Sequence, residues 1–203
     1  MSEIIVPGDL IYKEPKRFEG SFVDNGSTYA SVVSVKYDDR VVALKGKYRP
    51  IIGDYIVGII SEVKFNCFVV DLNSPYVGEI SSRETREPFQ VGDIVSAAIT
   101  DVDEVNEAML VEPRKMWGGR LLEIEAVKIP RVIGKNSSML AMIEDGTQCR
   151  IFVGKNGRLY LKGGNLALAE MCILKISKEA HLHGLTDRIK NFIDEEKAKN
   201  GVQ

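Results

Sequence analysis

The sequence predicts a multidomain chain: an all-β N-terminal domain over residues 1–52, a small closed β-barrel over 53–119, and an α+β domain over 120–203. Three observations predict it. Short runs rich in β-branched and aromatic residues, bounded by Gly, Pro, Asn and Asp, recur as far as Val102. After the glycine-bearing joint Met116-Trp117-Gly118-Gly119-Arg120 the pattern changes, and segments of helical period alternate with strands. Charge divides the chain in the same way. Lys+Arg against Asp+Glu is 8 to 7 over 1–52, 5 to 12 over 53–119 and 14 to 10 over 120–203.

At 203 residues and 44% hydrophobic content the chain has enough apolar material for several cores. A net charge of −2 speaks against a uniformly basic nucleic-acid binder. Residues 128–162 nevertheless carry 7 basic side chains to 2 acidic, which places a positive field in the last part of the chain. Cys67, Cys149 and Cys172 are widely spaced in apolar surroundings, so they read as reduced core residues of a cytoplasmic protein, without metal spacing or a disulfide framework. The short apolar run at Met1–Pro7 is cut by proline and does not resemble a signal peptide. No apolar run is long enough to cross a bilayer. His181 and His183, two apart on a helix, do not face each other, and no catalytic set, metal site or cofactor is expected.

Val6-Pro7-Gly8-Asp9-Leu10-Ile11 reads as a turn entering a strand. Strands are expected at Ser27–Val35 and Arg40–Ala43, with turns at Asp24-Asn25-Gly26 and Asp38-Asp39. The region ends near Leu44–Pro50.

Gly53-Asp54 and Gly92-Asp93 each precede a strand, Tyr55–Val63 and Ile94–Val102. Phe65–Leu72 and Val77–Ile80 lie between them, and about five such strands suggest a closed barrel of the OB type. Gly-Asp-x-x-x-Gly, then Phe65–Leu72, then Gly78-Glu79-Ile80-Ser81, resembles the S1-type RNA-binding OB domain. That family often places base-stacking aromatics where Phe65 and Phe68 fall. Phe68 also suits the core, being followed by an apolar run, whereas Lys64 and Phe65 suit exposure. Because the acidic barrel repels phosphate over much of its surface, RNA contact is expected through a local patch containing Lys64, Arg83 and Arg86.

The most informative stretch is Ile129-Pro130-Arg131-Val132-Ile133-Gly134-Lys135-Asn136-Ser137-Ser138-Met139. Pro130 suits the first turn of a short helix, and Gly134 breaks that helix. Lys135 and Asn136 form an exposed tip, and Ser137 or Ser138 is placed to cap the following helix with its hydroxyl. The order expected here is a strand at Leu121–Val127, helices at 130–133 and 138–145 (ending at Gly146), strands at Gln148–Val153 and Arg158–Leu161, and a helix at Asn165–Lys178. A last amphipathic helix carries Leu185, Ile189, Phe192 and Ile193, before a charged tail from Asp194. This order and the central turn resemble a KH domain, whose G-x-x-G clamps nucleic-acid backbone. Here the turn is Gly134-Lys135-Asn136-Ser137, without the final glycine. Two uses stand open: a clamp for single-stranded RNA, involving Arg131 and residues 134–137, or a packing corner in which Ser137 is a helix cap. Gly154-Lys155-Asn156-Gly157 matches G-x-x-G by letter, but between two strands it reads as a tight hairpin turn.

Taken together, Pro7-Gly8-Asp9, Gly46-Lys47-Tyr48-Arg49-Pro50 leading into Gly53-Asp54, the Ile129–Gly134 run, and Gly154-Lys155-Asn156-Gly157 with Lys162-Gly163 resemble the RNA-binding cap subunits of the archaeal exosome. The resemblance implies a non-catalytic subunit, three copies of which sit on a hexameric ring of RNase PH-like proteins that degrades or processes RNA 3′-to-5′. The N-terminal domain would dock on the ring. Two other classes are compatible with the same modules: a stand-alone S1/KH RNA-binding protein linked to translation, and an enzyme with a carboxylate site in the acidic barrel.

Overall fold

One kind of turn punctuates the β-rich half. In Val6-Pro7-Gly8-Asp9, Ile51-Ile52-Gly53-Asp54 and Gln90-Val91-Gly92-Asp93 the aspartate N–H donates to the carbonyl three residues back, at 3.1, 3.0 and 3.0 Å. The glycines sit at φ 96°, 90° and 92°. Such a type II geometry requires positive φ at its third residue, which is why glycine precedes aspartate each time. In two of the turns the aspartate carboxylate also accepts the N–H of the first residue, from Val6 at 3.0 Å and from Gln90 at 2.8 Å.

A computed structural model of the chain describes residues 2–16, 20–37, 40–44, 46–85, 87–180, 182 and 184–200. The N-terminal region holds two small antiparallel sheets. β1 (Ser2–Ile5), β5 (Ser34–Tyr37) and β6 (Arg40–Ala43) form one; β2 (Leu10–Tyr12), β4 (Ser27–Ala30) and β3 (Ser21–Asp24) form the other. The run expected as a single strand over Ser27–Val35 is thus two strands in different sheets. Asn25 and Gly26, at φ 47° and 78°, make the two-residue β3–β4 hairpin whose primed turn matches the strand twist. The expected Asp38-Asp39 turn lies outside the described residues.

The barrel is closed by β7 (Tyr55–Val63), β8 (Cys67–Asp71), β9 (Val77–Ser81), β11 (Glu107–Met116) and β10 (Ile94–Val102), each bonded to the next in that order and β10 back to β7. The parallel β9–β11 pair closes an otherwise antiparallel ring, the OB-like arrangement expected from strand spacing. Inward positions alternate along β10, and Val95, Ala97 and Ile99 meet Ile56, Ile60, Val70, Leu72, Ile80 and Leu110 in one core. Tyr48 belongs to this core as well, and its hydroxyl donates to the Asp54 carboxylate at 2.8 Å.

The C-terminal region is α+β, with sheet order β12 (Gly119–Glu123), β14 (Arg158–Lys162), β13 (Arg150–Val153). α1 (Ile129–Ile133), α2 (Ser138–Thr147) and α3 (Leu166–Glu179) pack on one face, joined by α4 (Leu185–Asn200). The element order is the expected one, with three adjustments. Ala126–Lys128 forms a 3-10 turn rather than the end of a strand. Gly146 lies inside α2: a side chain there would come within 2.8 Å of Ile193 Cγ2, so glycine admits α4 instead of ending the helix. The helix carrying Ile189 and Ile193 runs on through the expected charged tail.

The 154–157 turn closes the β13–β14 hairpin, and its tip is inserted against the barrel. Asn156 is fully buried there. Its amide donates to the carbonyls of Val57 (2.7 Å) and Leu72 (3.0 Å), and its side-chain oxygen accepts from Val57 N–H (3.2 Å). Lys155 N–H donates to the Tyr55 carbonyl at 2.9 Å. Buried Arg158 completes the lock, donating to Glu123 Oε1 (2.7 Å), the Asp71 carbonyl (2.6 Å) and Asp71 Oδ2 (2.6 Å).

Candidate nucleic-acid interface

One end of the barrel gathers several of the expected contact residues. The β7–β8 connection is tight, with Lys64 N–H donating to the Cys67 carbonyl at 2.9 Å, and it leaves Phe65 fully exposed at its tip. Ser82 N–H donates to the Asn66 carbonyl at 2.9 Å, which brings the segment carrying exposed Arg83 beside this tip. Lys64, Phe65 and Arg83 are therefore neighbours. Phe68 stands behind them, half-buried and packed edge-on against Phe89 at 5.2 Å, so it supports the barrel end more than it presents a ring to solvent. Arg86 lies outside the described residues. Acidic groups limit the patch: Glu62 is 4.0 Å from Lys64, and Glu79 accepts a hydrogen bond from Cys67 Sγ at 3.1 Å, which together with burial pushes that thiol up.

The 134–137 turn forms a second candidate surface. Pro130 occupies the first turn of α1 as expected, and Gly134 follows at φ 73°, ψ 177°. A Cβ on Gly134 would lie 2.7 Å from Met139 Cβ and 2.9 Å from its backbone nitrogen, so glycine is required by contact as well as by conformation. Lys135, Asn136 and Ser137 are exposed, while Arg131 is half-buried on α1. Ser137 does not cap α2 through its side chain. It sits in the left-handed region at φ 60°, ψ 18°, next to Asn136 at φ 52°, and neither hydroxyl at 137 or 138 provides the expected cap. The backbone therefore keeps a conformation suited to glycine where the glycine is missing.

The positive charge counted over 128–162 is not gathered at this turn. Lys128 is buried and donates to the Ala43 carbonyl at 2.8 Å; burial holds its pKa below the usual lysine range, with Arg131 acting in the same direction. Arg158 is neutralised in the barrel lock by Asp71 and Glu123. Arg131 and Lys135 are the cations of the 131–137 segment itself. The groove between α2 and edge strand β13 is further modified by Glu144, whose carboxylate accepts the Ile151 N–H at 2.8 Å. That places negative charge, and a partner for the strand's outward donor, where nucleic acid would otherwise reach the edge. The pairing links two elements, and nothing in the local sequence around Glu144 marks it.

Among the described residues no group of three or more His, Cys, Asp or Glu side chains is arranged to hold a metal. The three cysteines are free and buried, as expected, and burial pushes the Cys172 thiol up to about 11. His181 and His183 lie outside the described residues. Among the described residues no helix is long and apolar enough to cross a membrane.

Comparison with known proteins decides the family. No protein-family model matches the chain. The exosome complex component Rrp4 of Pyrococcus furiosus is 36% identical over 94% of this chain and 82% of its own length. Rrp4 of Methanosarcina mazei is 36% identical over 97% and 84%, and Rrp4 of Thermofilum pendens 38% over 95% and 93%. The chain belongs to the Rrp4 family of exosome complex components. A crystal structure assigned as an exosome complex RNA-binding protein is 34% identical, with a TM-score of 0.71, over 76% of this chain and 99% of its own. The Rrp4 likeness thus extends through the N-terminal sheets, the barrel and the α+β region alike.

Proposed function

We propose that this chain is a non-catalytic RNA-binding cap subunit of an exosome, gathering single-stranded RNA for a hexameric ring of RNase PH-like subunits that degrades or processes it 3′-to-5′. The observation that carries this reading is the likeness to Rrp4 exosome components over nearly the whole chain. The barrel end supports it chemically, because Phe65 offers a fully exposed ring between Lys64 and Arg83. A base stacked on such a ring contributes about 1–3 kcal/mol whatever its identity, which suits a subunit handling unrelated transcripts. The 134–137 turn adds Lys135 and backbone groups that a phosphate can approach closely.

In this reading three copies sit on each ring in the cytoplasm, and the N-terminal sheets make the ring contact. Ile4, Val6 and Leu10 are 69%, 50% and 47% exposed there, an apolar surface better matched to protein than to phosphate. The division into regions 1–52, 53–119 and 120–203 belongs to the same proposal. Native mass measurement of the chain mixed with RNase PH-like ring subunits tests the assembly, with three copies per ring expected. Failure to associate would overturn it. Phosphate-dependent RNA loss with the chain alone would overturn the non-catalytic role.

A further inference from the structure

The outer face of the β13–β14 hairpin differs from its inner face. Ile151, Leu159 and Leu161 point into the core beneath the helices. Arg150 pairs with Lys162 and Phe152 with Tyr160 across the hairpin, so these four share the opposite face. Near the barrel that face is filled by Arg158 and the Asn156 tip, but its other end opens toward Trp117 at the joint between β11 and β12. The result is a hollow of about 440 Å³ with no acidic side chain in its lining. That volume is within the range of pockets that hold small-molecule-sized groups.

Trp117 is 70% exposed and Phe152 47%, unusual for the two largest apolar side chains of this surface. Lys162 Nζ lies 3.7 Å from the indole centroid, a close cation–π contact that fixes the ammonium beside the ring. Neither Arg150 nor Lys162 makes an ion pair among the described residues, whereas Lys115 at the rim is paired with Asp93 at 2.6 Å. Two flat rings with two uncommitted cations between them match the alternation of base and phosphate in a single strand. A protein partner would be met by an apolar core with a mixed polar rim, and this surface has only cations around its rings.

We propose that Trp117, Phe152, Arg150 and Lys162 form a further binding site for single-stranded RNA on the outer sheet face, remote from the 134–137 turn and separate from the Phe65 end of the barrel. Bases stack on Trp117 and Phe152, and Arg150 and Lys162 take the intervening phosphates. This inference rests on the RNA-binding reading above and adds a location to it. It also accounts for where the positive charge of 128–162 goes, since its two exposed unpaired members on this face are not at the turn.

Trp117 is the only tryptophan in the sequence, so its emission reports on this site alone. The full chain is titrated with a fluorescein-labelled single-stranded oligoadenylate of about a dozen nucleotides, within the span of known single-strand sites. Anisotropy of the label and emission of Trp117 are followed together. The two signals are expected to saturate at the same RNA concentration. Trp117→Ala or Phe152→Ala should weaken binding about 5- to 100-fold, the loss of one stacked base. Trp117→Phe should restore most of the affinity. Arg150→Glu with Lys162→Glu should reduce the slope of log affinity against log salt by about 2, one counterion for each lost phosphate contact. RNA binding with silent Trp117 emission and unchanged affinity in these variants would overturn the site while leaving the RNA-binding role intact. No anisotropy change at all would overturn both. Trp117 emission that responds to ring subunits and not to RNA would make this a protein contact and would overturn the site.

Discussion

Ser137 shows how a single residue can be placed correctly and given the wrong task. Its hydroxyl type fits a helix cap, but a cap needs a non-helical, extended backbone ahead of the helix, and Ser137 is instead left-handed at φ 60° with no cap hydrogen bond. Ser137→Gly is therefore expected to stabilise the chain by about 0.5–1 kcal/mol, relief of the left-handed cost partly offset by the looser unfolded chain. Ser137→Ala should be close to neutral. Chemical denaturation of the two variants checks both, and a loss near 1 kcal/mol in alanine with none in glycine would restore the capping role. Gly134→Ala is expected to cost about 2 kcal/mol or more, because its Cβ meets the Met139 backbone nitrogen at 2.9 Å in a conformation reserved for glycine. The break at Gly134 was legible in the sequence. The φ of Ser137 was not, because it depends on the angle at which α2 leaves the turn to reach its neighbours.

Among the elements, the β13–β14 hairpin carries the most. Its tight turn was legible from Gly154-Lys155-Asn156-Gly157, yet the turn's partner lies 99 residues earlier, at Val57. Asn156→Ala removes three buried hydrogen bonds and strands the Val57 N–H, so a loss of about 3 kcal/mol is expected, with barrel and α+β region then unfolding in separate steps. A single unshifted transition would refute this. The lock also responds to acid. Burial pushes the Asp71 carboxyl up, but the Arg158 guanidinium and the Asn73 N–H outweigh it and hold the group below the usual carboxylate range. A depressed folded-state pKa means stability that is present above the unfolded value of about 4 and is lost as pH falls through the folded one. Thermal melts between neutral pH and about pH 3 should thus show a steeper acid loss in the native chain than in Arg158→Met, in which Asp71 has no guanidinium partner.

For the whole molecule, the three regions are tied together at points no regional reading reveals. Lys128 reaches the Ala43 carbonyl at 2.8 Å, and Ser74 Oγ donates to the Tyr48 carbonyl at 2.9 Å. Tyr48 falls before the expected boundary at 52 but packs inside the barrel, so a chain beginning at Gly46 should keep a barrel that a chain beginning at Gly53 destabilises. Melting temperatures of the two truncations decide this, with the shorter chain expected to unfold several degrees lower, as loss of a buried aromatic side chain implies. The longer truncation, stable but lacking Ile4, Val6 and Leu10, is the suitable one for testing ring association.

The sequence by itself determined the local alphabet of this protein: Gly-Asp turns, strands of alternating burial, the break at Gly134, the amphipathic face of the last helix, and the three-region order that resembles exosome cap subunits. These follow from backbone conformation and side-chain period, which act over a few residues. Only the tertiary structure decided which charges are spent and which remain. Of the basic residues in 128–162, Lys128 and Arg158 are consumed between regions, while Arg150 and Lys162 stand beside Trp117 and Phe152 on an open face. Residue type fixes that a side chain is charged, but burial and the partner it meets across tens of residues fix whether that charge is available to a phosphate.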